Sequence, residues 1–445
     1  MVFQMKINMK SNKIILSILA TTALFNWAFA QQVPQKATLQ QLIDYALQNK
    51  ISIKQAEIDE AIGEKDIDIS LSGWYPQLAL TGNYNHNLKI PTNAFGGQTV
   101  VMGQKNSSNL TLQADQQLLN PALMQASKAA ELTRLSNKQN TENVRINTVV
   151  DVSKAYYDIL TSEEQINIVR ENIIRLDKQL KDAQVRYEVG LVDKTDFKRA
   201  QIALSNARAD EKRTVELRKY KYDYLKQLLA LDIKDPLTLS FDNANMETEI
   251  LLDTTGGLDN SKRIEFQQLE TAKKLQQLNT QYYKWTYLPS LSAFINYGLD
   301  YRNDKFGDLY NDSFPRSTVG LNLTFPIFQG FKRKNQINKS QLQEARIDWD
   351  IQNLNNQIST EYSLAKASYN ANLSDWKTSK DNVDLSKEVY NTIKLQYDEG
   401  IKTYLDLMTA ETDLKTSQLN YLNALYALLS SKLDVQKALG NIQTN

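Results

Sequence analysis

The sequence WYPQLALTGNYNH, from Trp74 to His86, places a proline before a run of alternating apolar and polar residues. A stretch of the same design, YLPSLSAFINYGLDY, begins at Tyr287, about 213 positions later. Shorter alternating stretches lie between Asn109 and Gln116 and between Thr318 and Phe325. Period-two alternation predicts strands with one apolar and one polar face. We therefore predict four strands, at about residues 77–86, 109–118, 290–301 and 317–328.

Two much longer stretches contain neither proline nor glycine. They run from Ala122 to Tyr187 and from Phe331 to Asp398, and each would be roughly 100 Å long as an α-helix. Apolar residues recur in the first at the three-and-four spacing of a coiled coil: Ile166, Val169, Ile173, Leu176, Leu180, Ala183 and Tyr187. The sequence therefore predicts very long helices that pack against other helices.

Each long helix ends in the same short motif. Tyr187 precedes Gly190 by three residues, and Tyr397 precedes Gly400 by three, so the two motifs lie about 210 residues apart. Helical patterns resume at Thr195 and at Tyr404. A glycine at this place permits the left-handed backbone of a tight helical turn. We expect two antiparallel helical hairpins, with tips near residues 190 and 400.

The repeats divide the chain into two halves of one design. Residues 31–235 form the first repeat, and residues 261–445 form the second. Between them, residues 236–260 are an equatorial linker with a short helix at Ala244 to Leu252. Shorter helices, Leu39 to Ser72 and Lys262 to Trp285, lead into the first strand of each half. The paired strands are joined by long loops rich in Gly, Asn and Asp, from Leu88 to Asn106 and from Arg302 to Pro315.

The first 30 residues have the pattern of a secretory signal peptide. Lysines at 6, 10 and 13 precede an apolar run from Ile14 to Phe25, and Ala28-Phe29-Ala30 is a cleavage site, so the mature chain is expected to begin at Gln31.

The chain has no cysteine, which excludes disulfides and thiolate metal sites. A formal net charge of +1 gives no general attraction for nucleic acid.

The alternating segments are close to the roughly 9–11 residues of a tilted membrane strand. Four such strands cannot close a barrel, and an open sheet edge is not tolerated in lipid. A membrane interpretation therefore requires several copies, of which three would supply twelve strands and room for a lumen. An ordinary soluble sandwich with one solvated face remains the alternative.

The duplicated order of helix, strand pair and helical hairpin, with both Tyr-x-x-Gly-x-x-x-x-x-Asp turns, resembles the TolC family of outer-membrane efflux proteins from Thr38 to Gly440. The resemblance implies a mainly α chain that contributes four strands to a trimeric twelve-stranded membrane β-barrel, continuous with an α-helical barrel. It implies a homotrimer in the outer-membrane lipid and an exit duct for efflux or type I secretion. Its expected partners are a periplasmic adaptor (membrane fusion protein) and an inner-membrane pump of the RND or ABC type.

The resemblance also implies a gate at the periplasmic entrance. Its residues are Asp196, Tyr397, Lys402 and Asp406, the last as a ring of carboxylates across the trimer, and Thr409 stands where the family type member has a second ring aspartate. The turns that an adaptor would grip are Val189, Gly190 and Leu191 in the first hairpin and Gly400 and Ile401 in the second.

Simpler structural roles stay open for the same residues. An aspartate just after a helical turn is often a helix cap, and both tyrosines could be coiled-coil knobs. We find no motif of a nucleotide site, zinc site or hydrolase, and expect no cofactor, no metal and no enzymatic activity. A periplasmic coiled-coil scaffold or adaptor without a membrane barrel is the alternative function.

Overall fold

The computed structural model describes residues 36–90, 92–190, 193–240, 250, 252 and 257–444. The expected signal peptide, Leu191 and most of the expected helix at Ala244 to Leu252 lie outside these residues. The chain divides into two compact units. The helical unit comprises the described parts of Met1–Ile51, Asn147–Asp253 and Ser368–Leu433, and the sheet unit those of Ser52–Ile146, Thr254–Ala367 and Asp434–Asn445.

Seven α-helices occur in the described residues. They are α1 (Leu39–Asn49), α2 (Ile51–Leu71), α3 (Pro121–Glu188), α4 (Lys194–Leu229), α5 (Ile264–Trp285), α6 (Lys332–Asp398) and α7 (Tyr404–Ala438). Proline at the first position of α3 removes only a donor that has no partner inside the helix. The pairs α3–α4 and α6–α7 are the two long hairpins that the sequence predicts.

The leading helix of the first repeat differs from the expectation. The single helix expected from Leu39 to Ser72 is divided in two at Lys50, whose extended backbone (φ −56°, ψ 130°) ends α1 before α2 begins at Ile51. Thr38 caps α1, because its hydroxyl accepts from the Gln41 N–H and its own N–H donates to the Gln41 side chain.

The sheet unit contains one four-stranded antiparallel sheet in the order β1-β4-β5-β6. Its strands are β1 (Gln77–His86), β4 (Asn106–Leu119), β5 (Ser290–Asn303) and β6 (Ser313–Thr324). Along the chain, β1 is connected to β4 through a separate two-stranded hairpin of β2 (Thr92–Phe95) and β3 (Gln98–Val101). The central pair β4–β5 joins the two repeats, and each outer strand, β1 or β6, has one edge without a partner strand in the described part of the chain.

The structure adds detail to both expected connections. The long connection from Leu88 to Asn106 contains the β2–β3 hairpin, with both turn glycines, 96 and 97, at positive φ (59° and 82°). The segment from Arg302 to Pro315 keeps a loop at residues 304–312, which includes a short 3-10 helix, but both of its ends are strand, and Pro315 pairs with Leu299. Within one chain a proline is acceptable there, because β6 is an edge strand of this sheet. The same strand ends at Thr324, before Pro326, and does not reach residue 328.

The core of the helical unit is a coiled-coil seam. One cluster combines small residues and aromatic rings from all four hairpin helices: Ala183, Ala200, Tyr390, Tyr397, Tyr404, Leu407, Ala410 and Leu414. A second cluster, Leu176, Leu204 and Ala207, continues the contact between α3 and α4. Because alanines face the rings, the helices approach closely enough to bury the tyrosines.

Candidate functional site

The two hairpin turns have the backbone that the sequence predicts. Gly190 (φ 75°) and Gly400 (φ 78°) are both left-handed, and each N–H donates to the carbonyl of the tyrosine three residues earlier, at 3.0 Å. The neighbouring apolar side chains face solvent, with Val189 63% and Ile401 73% exposed. These turns therefore present small apolar surfaces.

Asp406 lies in the first turn of α7 and is hydrogen-bonded to Thr403, the residue just before that helix. Its carboxylate accepts from the Thr403 N–H (3.0 Å) and hydroxyl (2.8 Å), and the Thr403 hydroxyl accepts from the Asp406 N–H (3.2 Å). This reciprocal cap holds the pKa of Asp406 below its ordinary value, with a smaller contribution from the charge of Lys402.

Asp196, the repeat equivalent of Asp406, has a different local role. The cap of its helix is Asp193, whose carboxylate accepts from the Thr195 N–H (2.8 Å) and hydroxyl (2.9 Å). Asp196 instead lies 3.9 Å from Arg199 of the same helix. In the single chain, both aspartates therefore interact within their own hairpin.

Tyr397 is buried, with 7% of its surface exposed. The Arg186 guanidinium lies over its ring at 4.9 Å, and its edge-to-face partner is Tyr404 at 6.2 Å. Burial raises its pKa above the ordinary value. The equivalent Tyr187 is 39% exposed and stacks on Phe197. Arg186 and Tyr397 therefore form a contact between the two hairpins.

Lys402 is exposed, and its ammonium forms no ion pair with a described residue. The four expected gate residues thus lie near the same pair of turns, but no hydrogen-bond network joins them within the described part of one chain. Their role in a gate remains a prediction.

The principal polar cluster between the hairpins surrounds Glu411 of α7, which sequence reasoning missed. The residue is 2% exposed, and its carboxylate accepts from Asn172 Nδ2 (2.9 Å), Arg175 Nε (3.0 Å) and Gln179 Nε2 (2.5 Å) of α3. These three donors recur at intervals of three and four residues and share one helix face. Arg175 also lies over the Tyr390 ring at 5.8 Å.

A signal for Glu411 was present in the sequence. Tyr404, Leu407, Glu411 and Leu414 follow the three-and-four spacing of a coiled-coil seam, so the carboxylate occupies a position where an apolar residue is expected. A charge at such a position requires a buried partner. One turn later, the Lys415 ammonium lies 3.2 Å from the Asp210 carboxylate of α4, in a partly exposed ion pair.

The sheet has one apolar and one polar face, as alternation requires. Across the strands, Leu80 pairs with Leu112, Ala114 with Ile295, and Ala293 with Leu321. The leucines and Ile295 of these pairs are 46–68% exposed on one chain. On the opposite face, Asn296 lies between Gln113 and Thr318, and Arg316 pairs with Asp300 at 3.4 Å.

Aromatic residues border the apolar face at both ends of the strands. At the connecting ends, Tyr84 packs on Phe306 (5.6 Å) and Tyr301 on Tyr310 (5.1 Å). After the other end of β6, Phe328 and Phe331 pack edge to face at 5.7 Å and both are exposed. Aromatic girdles on either side of an apolar band are typical of strands that cross an outer membrane.

Two further features are absent from the described residues. Among them, no α-helix combines the length and the apolar character needed to span a bilayer. The same residues contain no group of three or more His, Cys, Asp or Glu side chains arranged to hold a metal ion.

An exposed apolar sheet face together with duplicated helical hairpins defines the class of outer-membrane channel proteins that serve efflux. The chain belongs to the outer membrane efflux protein family, whose model matches residues 42–231 and 262–441. This result confirms the resemblance stated above and the outer-membrane location, and it favours the channel over a periplasmic scaffold. The family consists of channels rather than enzymes.

Similar proteins are found by sequence and by structure. Outer membrane protein TolC of Escherichia coli (strain K12) is 21% identical over 428 residues, which cover 92% of this chain and 83% of that protein. The probable efflux pump outer membrane protein TtgC of Pseudomonas putida is 22% identical over 414 residues, covering 90% and 82%.

The fold is similar to that of solved channels. The open state of the Neisseria gonorrhoeae MtrE outer membrane channel superposes with a TM-score of 0.74 at 20% identity, covering 92% of this chain and 90% of that one. CusC gives a TM-score of 0.76 at 17% identity, covering 90% and 91%. These similarities confirm the expected fold class of long helical hairpins with a few membrane strands.

Proposed function

We propose that this chain is the outer-membrane exit duct of a tripartite efflux pump or a type I secretion system. In this proposal, three copies assemble, and an inner-membrane pump of the RND or ABC type hands substrates over through a periplasmic adaptor. The duct conducts them passively, because nothing in the described residues indicates a reaction.

The observation that carries the proposal is the open sheet. Among the described residues, the outer strands β1 and β6 each have one edge without a partner strand, and the apolar face of the sheet is exposed. In lipid, an unpaired edge leaves backbone donors and acceptors without partners at a cost of several kcal/mol for each group. Pairing β1 of one chain with β6 of the next removes both edges. Three chains then form a closed barrel of twelve strands, in which the polar face carrying Asn296 lines the lumen.

The tips of the hairpins are proposed as the contacts for the adaptor. The adaptor would contact Val189, Gly190 and Leu191 of one hairpin and Gly400 and Ile401 of the other, and the described members of this set include two apolar side chains that another helical hairpin can cover. The exposure of Val189 and Ile401 supports this role.

Oligomeric state tests the duct most directly. Native mass spectrometry of the detergent-extracted full-length chain is expected to give three copies, and unheated samples should migrate as a trimer in gels. A stable monomer in detergent micelles, with the sheet folded, would contradict the proposal.

The gate is tested by conductance in planar bilayers. We propose that Asp196, Tyr397 and Lys402 restrict the entrance and that Asp406 of each chain forms a carboxylate ring. Tyr397→Phe combined with Lys402→Ser is expected to raise single-channel conductance, whereas Tyr187→Phe, at the exposed equivalent tyrosine, should leave it unchanged. Asp406→Asn is expected to reduce block by multivalent cations. Equal conductance in the double variant and wild type, with intact trimers, would show that other contacts restrict the entrance.

A further inference from the structure

Glu411 differs from the four expected gate residues because its side chain forms hydrogen bonds across the two hairpins of one chain, whereas Tyr397 contacts the other hairpin only through its ring, beneath Arg186. The Glu411 carboxylate belongs to α7, whereas all three of its side-chain donors belong to α3. By contrast, the carboxylate of Asp406 bonds within its own hairpin, and Asp196 pairs with Arg199 of its own helix. Glu411 is therefore placed to resist separation of the hairpins.

Because the Glu411 cluster is buried, its hydrogen bonds are hard to break. The Glu411 side chain is 3% exposed, whereas that of Arg175 is 22% exposed. The nearby link between Lys415 and Asp210 is more accessible, at 23% and 35%. A carboxylate that loses its donors while it stays away from water has a large desolvation penalty. Separation of α3 from α7 therefore requires water to reach Glu411.

The surroundings add to this resistance. Leu407 and Leu414, one turn on either side, are 2% and 4% exposed and belong to the apolar seam. Arg175 is further held by the Tyr390 ring and by Glu171 at 3.8 Å. The ion pair is thus fixed by packing on both sides, so its donors have few alternative positions.

We propose that Glu411 is a positioning residue of the entrance. It joins α7 to α3 in each chain, and the breaking of its bonds to α3 limits the opening of the entrance. This inference rests on the proposed function as a gated duct. Three copies of the cluster act in one assembly, so a small change at each shifts the balance between closed and open entrances strongly.

The main test uses Glu411→Gln in the full-length trimer, a change that keeps the size of the side chain and removes its charge. Glu411→Asp keeps the charge on a shorter side chain. Asp413→Asn is the matched control, because it removes the same charge from an exposed position two residues later on α7.

Hairpin separation can be measured directly because the chain has no cysteine. Spin labels at Val189→Cys and Glu399→Cys report the distance between the two turns of one chain, provided that labelled chains are diluted with unlabelled ones. Double electron–electron resonance is expected to show a longer mean distance and a broader distance distribution for Glu411→Gln. It should show wild-type distances for Asp413→Asn and an intermediate result for Glu411→Asp.

Bilayer recordings give the second measurement. Glu411→Gln is expected to raise the ratio of open to closed states by about tenfold or more. Wild-type distances and conductance in this variant would overturn the proposal, even if its thermal midpoint falls, because the residue would then serve stability alone. If neither the wild-type trimer nor the Tyr397→Phe, Lys402→Ser and Glu411→Gln variants conduct current, the duct itself is refuted. The label distances still decide whether Glu411 holds the hairpins together.

Discussion

The rings of Tyr397 and Tyr404 pack edge to face, with centroids 6.2 Å apart and ring planes at 61°. The two residues lie on either side of the turn between α6 and α7. Tyr404 is 3% exposed, and its hydroxyl is buried without a partner among the described residues. Burial, and to a lesser degree the charge of Glu411, raise the pKa of Tyr404 to about 12. The phenol is therefore neutral at physiological pH and contributes its ring rather than a hydrogen bond.

The first prediction concerns this hydroxyl. Tyr404→Phe is expected to raise the free energy of unfolding by about 1 kcal/mol, since a buried hydroxyl without a partner costs roughly 1–3 kcal/mol. Tyr404→Leu is expected to lower it, because the edge-to-face contact is lost. Urea unfolding in detergent, followed by tryptophan fluorescence, measures both. A less stable phenylalanine variant would show that the hydroxyl has a partner in the assembly.

A second prediction follows for alkaline solution. Tyr222 and Tyr404 both have a pKa of about 12 in the folded chain, above the ordinary value of 10. The folded protein therefore keeps protons that the unfolded chain has lost. The stability that these two tyrosines contribute is fully present below pH 10 and is lost as the pH rises through 12. Thermal midpoints should fall over this window, and less steeply in Tyr404→Phe. Parallel curves for wild type and variant would contradict the assignment.

Much of the architecture could be predicted because it depends on local periodicity. Alternation placed β1 at its observed bounds, and the absence of proline and glycine marked α3 and α6. The start of β6 was missed because Ser313-Phe314-Pro315 does not alternate and contains a proline. That segment is a strand because β5 pairs with it, a tertiary contact that no local pattern reveals.

The candidate site was less predictable. The expected gate residues came from the family resemblance, and the sequence alone could not decide whether Asp406 caps a helix or faces a lumen. Glu411 binds side chains more than 230 positions earlier, at Asn172 to Gln179 (separations of 232–239). Spacing could have marked Glu411 as a charge on an apolar seam, but only the packed structure identifies its partners.

The third prediction tests which face of the sheet meets lipid. Ile295 lies on the apolar face and Asn296, the next residue, on the polar face. Ile295→Arg is expected to cost about 2–4 kcal/mol near the midplane of the membrane, whereas Asn296→Arg should cost much less. Yield of folded trimer and urea midpoints in lipid measure the difference. Equal tolerance of arginine at both positions would reject the assigned face.

The last prediction concerns Arg333, which joins three parts of the sheet unit. The residue is 6% exposed, and its guanidinium donates to the Thr286 carbonyl (3.1 Å) and the Pro326 carbonyl and lies 4.5 Å from the Tyr287 ring. The connection that it holds contains Phe331 at φ 63°, a backbone that is strained for a bulky residue.

Arg333→Met is expected to lower the free energy of unfolding by about 3 kcal/mol, because each bond from a charged donor contributes roughly 1.5–3 kcal/mol. Arg333→Lys should recover only part of this loss, since an ammonium lacks the planar fork that reaches both carbonyls. Lys334→Met, at an exposed neighbour, should change little. Urea unfolding of the trimer measures all three. If the methionine variant is as stable as Lys334→Met, the connection after β6 is held by its aromatic residues rather than by Arg333.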